Sequence, residues 1–182
     1  MLSAAGVPFE AVAATIDEDA VKMSLAHLSP RDLADALAER KALDVLARYP
    51  ADMVLGSDSI VVLEDCAALD KPRNQDEAAE HLSRMSGKRH DLISAAVIAK
   101  GGKAVWRHAD TAAMYVRPLS YVFIRWYVDS EWPVIAGCVG CYRIEGPGAQ
   151  LFEKIEGSHF TVLGMPLLPV LEYLRARDIL PR

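Results

Sequence analysis

Met53-Val54-Leu55-Gly56-Ser57-Asp58-Ser59-Ile60-Val61-Val62-Leu63 is apolar on both phases of a two-residue alternation. Met53, Leu55, Val61 and Leu63 fall on one phase, and Val54, Ile60 and Val62 on the other. A strand with that pattern is buried on both faces, as in the middle of an α/β sheet. Gly-Ser-Asp-Ser interrupts the run, and a carboxylate at that depth is costly unless a metal, a cation or hydrogen bonds compensate it. A short way on, Leu69-Asp70-Lys71-Pro72 sets a lysine in a fixed turn. Strand, Asp58 and Lys71 together fit a site for a phosphate-bearing ligand and a metal. They fit equally an aspartate that hydrogen-bonds a neighbouring turn, and these residues alone leave both readings open.

Outward from this strand, a chain of 182 residues suits one α/β domain with a substantial core. A hydrophobic content of 52% with 25% charged residues is that of a globular protein. The formal charge of −5 provides no generic basic surface, which argues against nucleic acid as a partner. A polyanionic ligand would need local Lys/Arg or a metal working against that field. No apolar run approaches the roughly 20 residues of a membrane helix. The opening Met1-Leu2-Ser3-Ala4-Ala5-Gly6-Val7 has no basic n-region and meets Pro8 and Glu10, so no signal peptide and a cytoplasmic location are expected. Cys138-Val139-Gly140-Cys141 has redox or half-zinc spacing, but Cys66 is the only other cysteine and the five histidines are scattered. Buried structural thiols are the expectation.

Along the chain, Leu2 to Gly6 reads as a glycine-capped helix end, Val7 to Val12 as a strand start, and Ile16-Asp17-Glu18-Asp19 as an acidic turn. Ser29-Pro30-Arg31-Asp32 opens a helix whose stripe is Leu33, Leu37, Ala38, Ala42, Val45 and Leu46, stopped at Tyr49-Pro50. Asn74-Gln75-Asp76-Glu77 opens another, ending at Ser86-Gly87. Gly101-Gly102 between two apolar runs is a hairpin signal. Ser120 starts a helix to about Ser130, residues 137–148 read as a strand with loops, and Leu167 onward is a terminal amphipathic helix. Helices alternating with strands predict an α/β fold: a single mixed-sheet domain with flanking helices.

Several motifs then occur in the order and spacing of one family. Gly56-Ser57-Asp58-Ser59-Ile60-Val61, Leu69-Asp70-Lys71-Pro72, Glu77-Ala78 with Leu82, and Ser86-Gly87-Lys88-Arg89-His90 resemble the Maf-type nucleoside triphosphate pyrophosphatases. So do Ala5-Gly6-Val7-Pro8-Phe9, Ile16-Asp17-Glu18, Ile144-Glu145-Gly146, Ile155-Glu156-Gly157 and Val162-Leu163-Gly164-Met165-Pro166-Leu167. The resemblance covers nearly the whole chain. It implies a fold related to the inosine triphosphate pyrophosphatases, with a long nucleotide cleft. It also implies hydrolysis of a nucleoside triphosphate to monophosphate and pyrophosphate, assisted by a divalent cation such as Mg or Mn. On the matching positions the resemblance implies that Asp58 would be the catalytic carboxylate and Glu18 would support the metal or the attacking water, making both candidate metal ligands. It likewise implies that Lys41 and Lys71 would bind phosphates, with Ser59 and Glu145 as candidate substrate contacts.

Two departures accompany the match. The family opens with a strand and a Ser-x-Ser-x-Arg-Arg turn, and here Met1 falls inside the helix that follows them. Either this start lies downstream of the true one or the element is lost, and an unpaired strand edge is the structural expectation. The second concerns the base. Glu145 resembles the 7-methyl-GTP pyrophosphatase branch, whereas the dTTP/UTP branch carries Gln there. Ser59 matches neither branch, leaving dTTP/UTP hydrolysis as an alternative, and the missing arginine turn leaves a second, a weakly active or non-catalytic nucleotide-binding protein linked to cell division. Finally, helical spacing sends Ile124, Tyr127 and Val128 to the core and leaves Tyr121, Phe123 and Trp126 as a possible homodimer surface.

Overall fold

Ser29 caps and Pro30 opens a 19-residue helix in the computed structural model, which describes residues 1–181. The Ser29 side chain accepts the Asp32 amide proton, satisfying one of the donors that a helix start leaves unpaired. The elements in order are α1 (Glu18–Ser24), α2 (Pro30–Arg48), β1 (Val54–Leu63), β2 (Ala68–Leu69), α3 (Gln75–Met85), β3 (Arg89–Lys100) and β4 (Lys103–Val116). There follow α4 (Tyr121–Glu131), β5 (Phe152–Glu156), α5 (His159–Val162) and α6 (Leu167–Ala176). Asn74 caps α3 and Ser120 caps α4 through their side-chain oxygens, as their residue types lead one to expect.

The fold is a single α/β domain around one five-stranded sheet of order β2-β1-β3-β4-β5. The sheet is antiparallel rather than mixed. The Gly101-Gly102 turn, with φ of 60° and 80°, joins β3 directly to β4, and the β1–β2 and β4–β5 ladders are antiparallel.

The residues fall into two compact units. The first holds Met1–Ser59, Ser94–Asp110 and the stretch from His159. In it Ala42 and Leu46 of α2 pack with Ala99 and Val54. Leu55 and Met53 pack instead with a cluster of Ala96, Leu167, Val170, Leu171 and Leu174. Even and odd positions of β1 thus go to opposite layers, as the period of two requires.

The second unit holds Ile60–Ile93 and Thr111–Ser158. There α3 packs on α4, whose Ile124, Tyr127 and Val128 are buried as the helical spacing predicts. Tyr121, Val122 and Trp126 are exposed at 73%, 77% and 47%. Phe123 is only partly exposed, because the Arg117 guanidinium lies 4.3 Å over its ring.

Three local expectations change. Residues 7–17 carry no strand, and most of the stretch is exposed. The acidic turn is the N-terminus of α1, where Asp17 caps the amide of Ala20 and Glu18 and Asp19 lie in the first turn. Residues 137–148 form 3-10 turns and bends, and the strand comes later as β5. No helix among the described residues is long and apolar enough to cross a membrane.

Candidate active site

Position 56 of β1 is glycine for a packing reason. A Cβ there would come within 2.8 Å of the Ala42 amide nitrogen and 3.0 Å of the Ala42 Cβ, and closer still to the Ala38 carbonyl oxygen. Gly56 and the small pair Ala38/Ala42, one turn apart on α2, let the helix lie directly on the strand backbone. Lys41, beside Ala42, then reaches Asp58, two residues along the same face of β1 as Gly56.

The contact is close. Lys41 Nζ donates to Asp58 Oδ1 at 2.5 Å, and the same ammonium lies 3.0 Å from Glu18 Oε1. Glu18 is brought there as the first residue of α1, held by the Asp17 cap. The side chains are 10% exposed for Asp58, 19% for Lys41 and 33% for Glu18, so a ligand can reach them while little water does. Burial pushes the Asp58 carboxyl above its ordinary value, outweighing the opposite pull of Lys41. Burial pulls the Lys41 ammonium down, but Asp58 and Glu18 overcome it and hold it above the usual lysine value. The result is a basic carboxylate and a firmly protonated lysine in contact.

The opposite face of β1 is anchored by hydroxyls. Ser57 Oγ lies 2.8 Å from the carbonyl oxygens of both Ala95 and Gly164. Ser59 Oγ is 2.7 Å from Ser94 Oγ and 3.3 Å from the Gly164 oxygen. Ser94 in turn donates to the Thr161 carbonyl, and the Thr161 hydroxyl donates to Asp110. Ser59, a candidate substrate contact, thus has its hydroxyl engaged with the 161–164 segment. These bonds brace the backbone on both sides of Asp58. Gly56 and Ser57, quoted above only as part of the Gly-Ser-Asp-Ser motif, contribute through these contacts, as do Ser94 and Thr161, which no motif marks. A glycine inside an apolar strand, facing an Ala-x-x-x-Ala helix, was the available signal for the first.

A cavity of about 650 Å³ runs along Met53–Ser57 and is lined by Lys41, Val45 and Tyr49 of α2, by Pro8 to Val12, and by Met165. Among the described residues β2 pairs only with Val61 and Val62, so this part of β1 has no strand on its cavity side.

Lys71 and Glu145 belong to the second unit, and both are exposed. Their charges both act on the Cys138 thiol, which burial pushes up, with Glu145 adding to the rise and Lys71 opposing it. Beside this loop Arg143 Nη2 is paired with the buried Glu131 at 3.0 Å. Burial also pushes the Cys141 thiol up to about 12, and its Sγ lies 3.4 Å from His81 Nδ1. Protonated, partly or wholly buried thiols are packing groups here rather than nucleophiles. Cys66, by contrast, is exposed. His90 is buried with Nε2 2.8 Å from the Tyr142 hydroxyl, and burial pushes its pKa down to about 4.

Comparison with known proteins is consistent along the whole chain. A protein from Sphingopyxis alaskensis named nucleoside triphosphate pyrophosphatase is 48% identical over 184 residues, spanning 100% of this chain and 93% of its own length. One from Jannaschia named nucleoside triphosphate pyrophosphatase 1 is 46% identical over 98% of this chain and 91% of its own. A Rhizobium meliloti protein named 7-methyl-GTP pyrophosphatase is 49% identical over 96% of this chain and 88% of its own. The family model described as Maf-like protein matches residues 1–177. With that match extending through β1, α2 and the turn carrying Lys71, this chain belongs to the Maf-like protein family.

Proposed function

We propose that the chain is a nucleoside triphosphate pyrophosphatase, releasing pyrophosphate and a nucleoside monophosphate. The observation that carries this reading is the meeting of Asp58, Lys41 and Glu18 in one partly buried cluster. Water attack at an α-phosphorus needs a carboxylate to orient the water and take its proton, and cations for the charge on the departing pyrophosphate. Asp58, with its side chain only 10% exposed at the centre of the cluster, is suited to hold that water. Lys41 is suited to a non-bridging phosphate oxygen, as a point charge on a flexible stem. Lys71 is assigned to phosphate by its match to the family motif.

The donor set suits a divalent cation of the Mg or Mn kind. Asp58 and Glu18 converge on a single cation position, now that of the Lys41 ammonium, and both offer hard carboxylate oxygens. Among the described residues no group of three or more His, Cys, Asp or Glu gathers to hold a metal by itself. Two carboxylates completed by phosphate oxygens and water is the usual magnesium arrangement. When bound, such an ion screens the phosphates and lowers the pKa of a coordinated water.

Within this class we favour a 7-methyl-GTP-like substrate. Glu145 can accept hydrogen bonds from the N1 and N2 donors of a guanine edge, and relatives at 49% and 43% identity carry the 7-methyl-GTP name. A nucleotide substrate and three free cysteines suit the cytoplasm. Tyr121, Val122 and Trp126 on α4 suit a homodimer contact, with Phe123 already covered by Arg117. Pyrophosphate release from a panel of canonical and modified triphosphates, with Mg or Mn, tests the central reading. Release is expected to be fastest with 7-methyl-GTP. No release from any member would refute the enzyme assignment, and faster release from dTTP or UTP would refute the base assignment.

A further inference from the structure

Lys41 stands where a metal ion bound by Asp58 and Glu18 would have to stand. Its ammonium touches both carboxylates, at 2.5 and 3.0 Å, and their oxygens converge on that one position. A divalent ion ligated by the same two oxygens at the roughly 2.0–2.1 Å of magnesium, on the side where the ammonium sits, would overlap the Nζ atom. The two cations cannot share the place. Charge adds a second constraint. Two carboxylates and one ammonium leave a net −1, whereas adding a divalent ion with the lysine still present makes the same partly buried cluster +1. Lys22 adds a further positive field at Asp58.

We propose that Lys41 is the resident counter-cation of the free site, and that it yields this place only when a divalent ion arrives already bound to a triphosphate. The phosphates then supply what the free protein lacks: negative charge for the displaced ammonium and oxygens to complete the metal's shell. The geometry permits the exchange. The Lys41 backbone is fixed by the packing of α2 on Gly56, while its four-carbon stem leaves the ammonium free to swing. Lys41 is therefore a gate against free metal as well as a phosphate ligand, and metal and nucleotide enter together. This inference rests on the pyrophosphatase reading for its purpose, but its test needs no turnover.

The experiment is titration of the full chain with Mn²⁺ alone, followed by electron paramagnetic resonance of the free ion. The parent protein is expected to bind weakly, and Lys41→Met at least tenfold more tightly. Lys22→Met, which removes a nearby positive charge without opening the position, is expected to change affinity less than twofold. Adding Glu18→Gln to Lys41→Met is expected to cancel the gain. Lys41→Gln repeats the test if the methionine variant does not fold. In the parent, a non-hydrolysable triphosphate is expected to tighten Mn²⁺ binding to the protein at least tenfold, beyond the Mn²⁺ that the analogue binds in a protein-free control. Equal affinity of parent and both Lys41 variants, an equal gain from Lys22→Met, or no effect of the triphosphate analogue would overturn the proposal. A chain that shows the gate yet releases no pyrophosphate would refute the enzyme reading and leave the gate standing.

Discussion

Gly56→Ala is the most informative single change, because one methyl group tests both the packing and the site. The new Cβ would meet Ala42 nitrogen at 2.8 Å and Ala42 Cβ at 3.0 Å, with the Ala38 carbonyl oxygen nearer still. Normal carbon contacts are about 3.5–4.0 Å, so α2 must retreat by about 1 Å. The obstructing atoms are mainly backbone and cannot rotate aside. The cost therefore lies at the upper end of overpacking, about 3 kcal/mol. For a chain of this size that lowers the melting temperature by roughly 6–12 °C. The same retreat shifts the Lys41 backbone by about 1 Å relative to Asp58, and a misplacement of that size in the site costs up to about 10²-fold in rate. Thermal unfolding followed by circular dichroism gives the first quantity, and pyrophosphate release at saturating nucleotide and metal gives the second. A Gly56→Ala protein that melts within about 2 °C of the parent and turns over at the parental rate would show that α2 does not ride on this position.

Asp58→Asn is expected to cut turnover about 10³-fold while leaving the melting temperature within a few degrees; near-normal activity would remove Asp58 from the mechanism. Because burial raises the Asp58 carboxyl, activity that needs its ionised form should fall as pH drops through that raised value. The acid limb of kcat/KM should therefore lie above the ordinary aspartate position, and a limb at the ordinary position would contradict the burial. His90 binds protons more weakly folded than unfolded, with its pKa pushed down to about 4. Stability should thus be full above the unfolded value of about 6.5 and decline by about 3 kcal/mol as pH falls to 4. Urea titrations of the parent and His90→Gln across that range check this, and an identical decline in both would refute it. Glu145→Gln is expected to lower kcat/KM for 7-methyl-GTP relative to UTP by about tenfold to a hundredfold, the worth of a hydrogen bond to a charged group. An unchanged ratio would take Glu145 out of base recognition.

Much of this architecture was legible because local chemistry and tertiary structure agree. Ser29, Asn74 and Ser120 cap helices, and Gly101-Gly102 turns a hairpin, for reasons internal to a few residues. The misreadings fall where that agreement fails. Helix α1 buries none of its residues, so it has no apolar stripe to betray it, and only the Asp17 cap and the acidic first turn mark it. Val7 to Val12 has strand composition but no pairing partner among the described residues, and composition alone does not make a ladder. The cluster was half legible. Asp58 stood out as a carboxylate in an apolar strand, but nothing in spacing alone joins it to Lys41 and Glu18, 17 and 40 residues away. That pairing is set by how closely α2 can approach β1, which Gly56 and Ala42 decide.

The cavity beside β1 has a consequence for stiffness. A strand inside a sheet is normally restrained by ladders on both edges, but Met53–Ser57 has one on its β3 side alone among the described residues. Its remaining restraint comes from above and below: α2 on one face, and the serine contacts to the Gly164 segment on the other. The strand carrying Asp58 is braced directly by a helix. Whatever frays α2, even loss of its Ser29 cap some 27 residues before Gly56, is transmitted to the reacting carboxylate as lost precision.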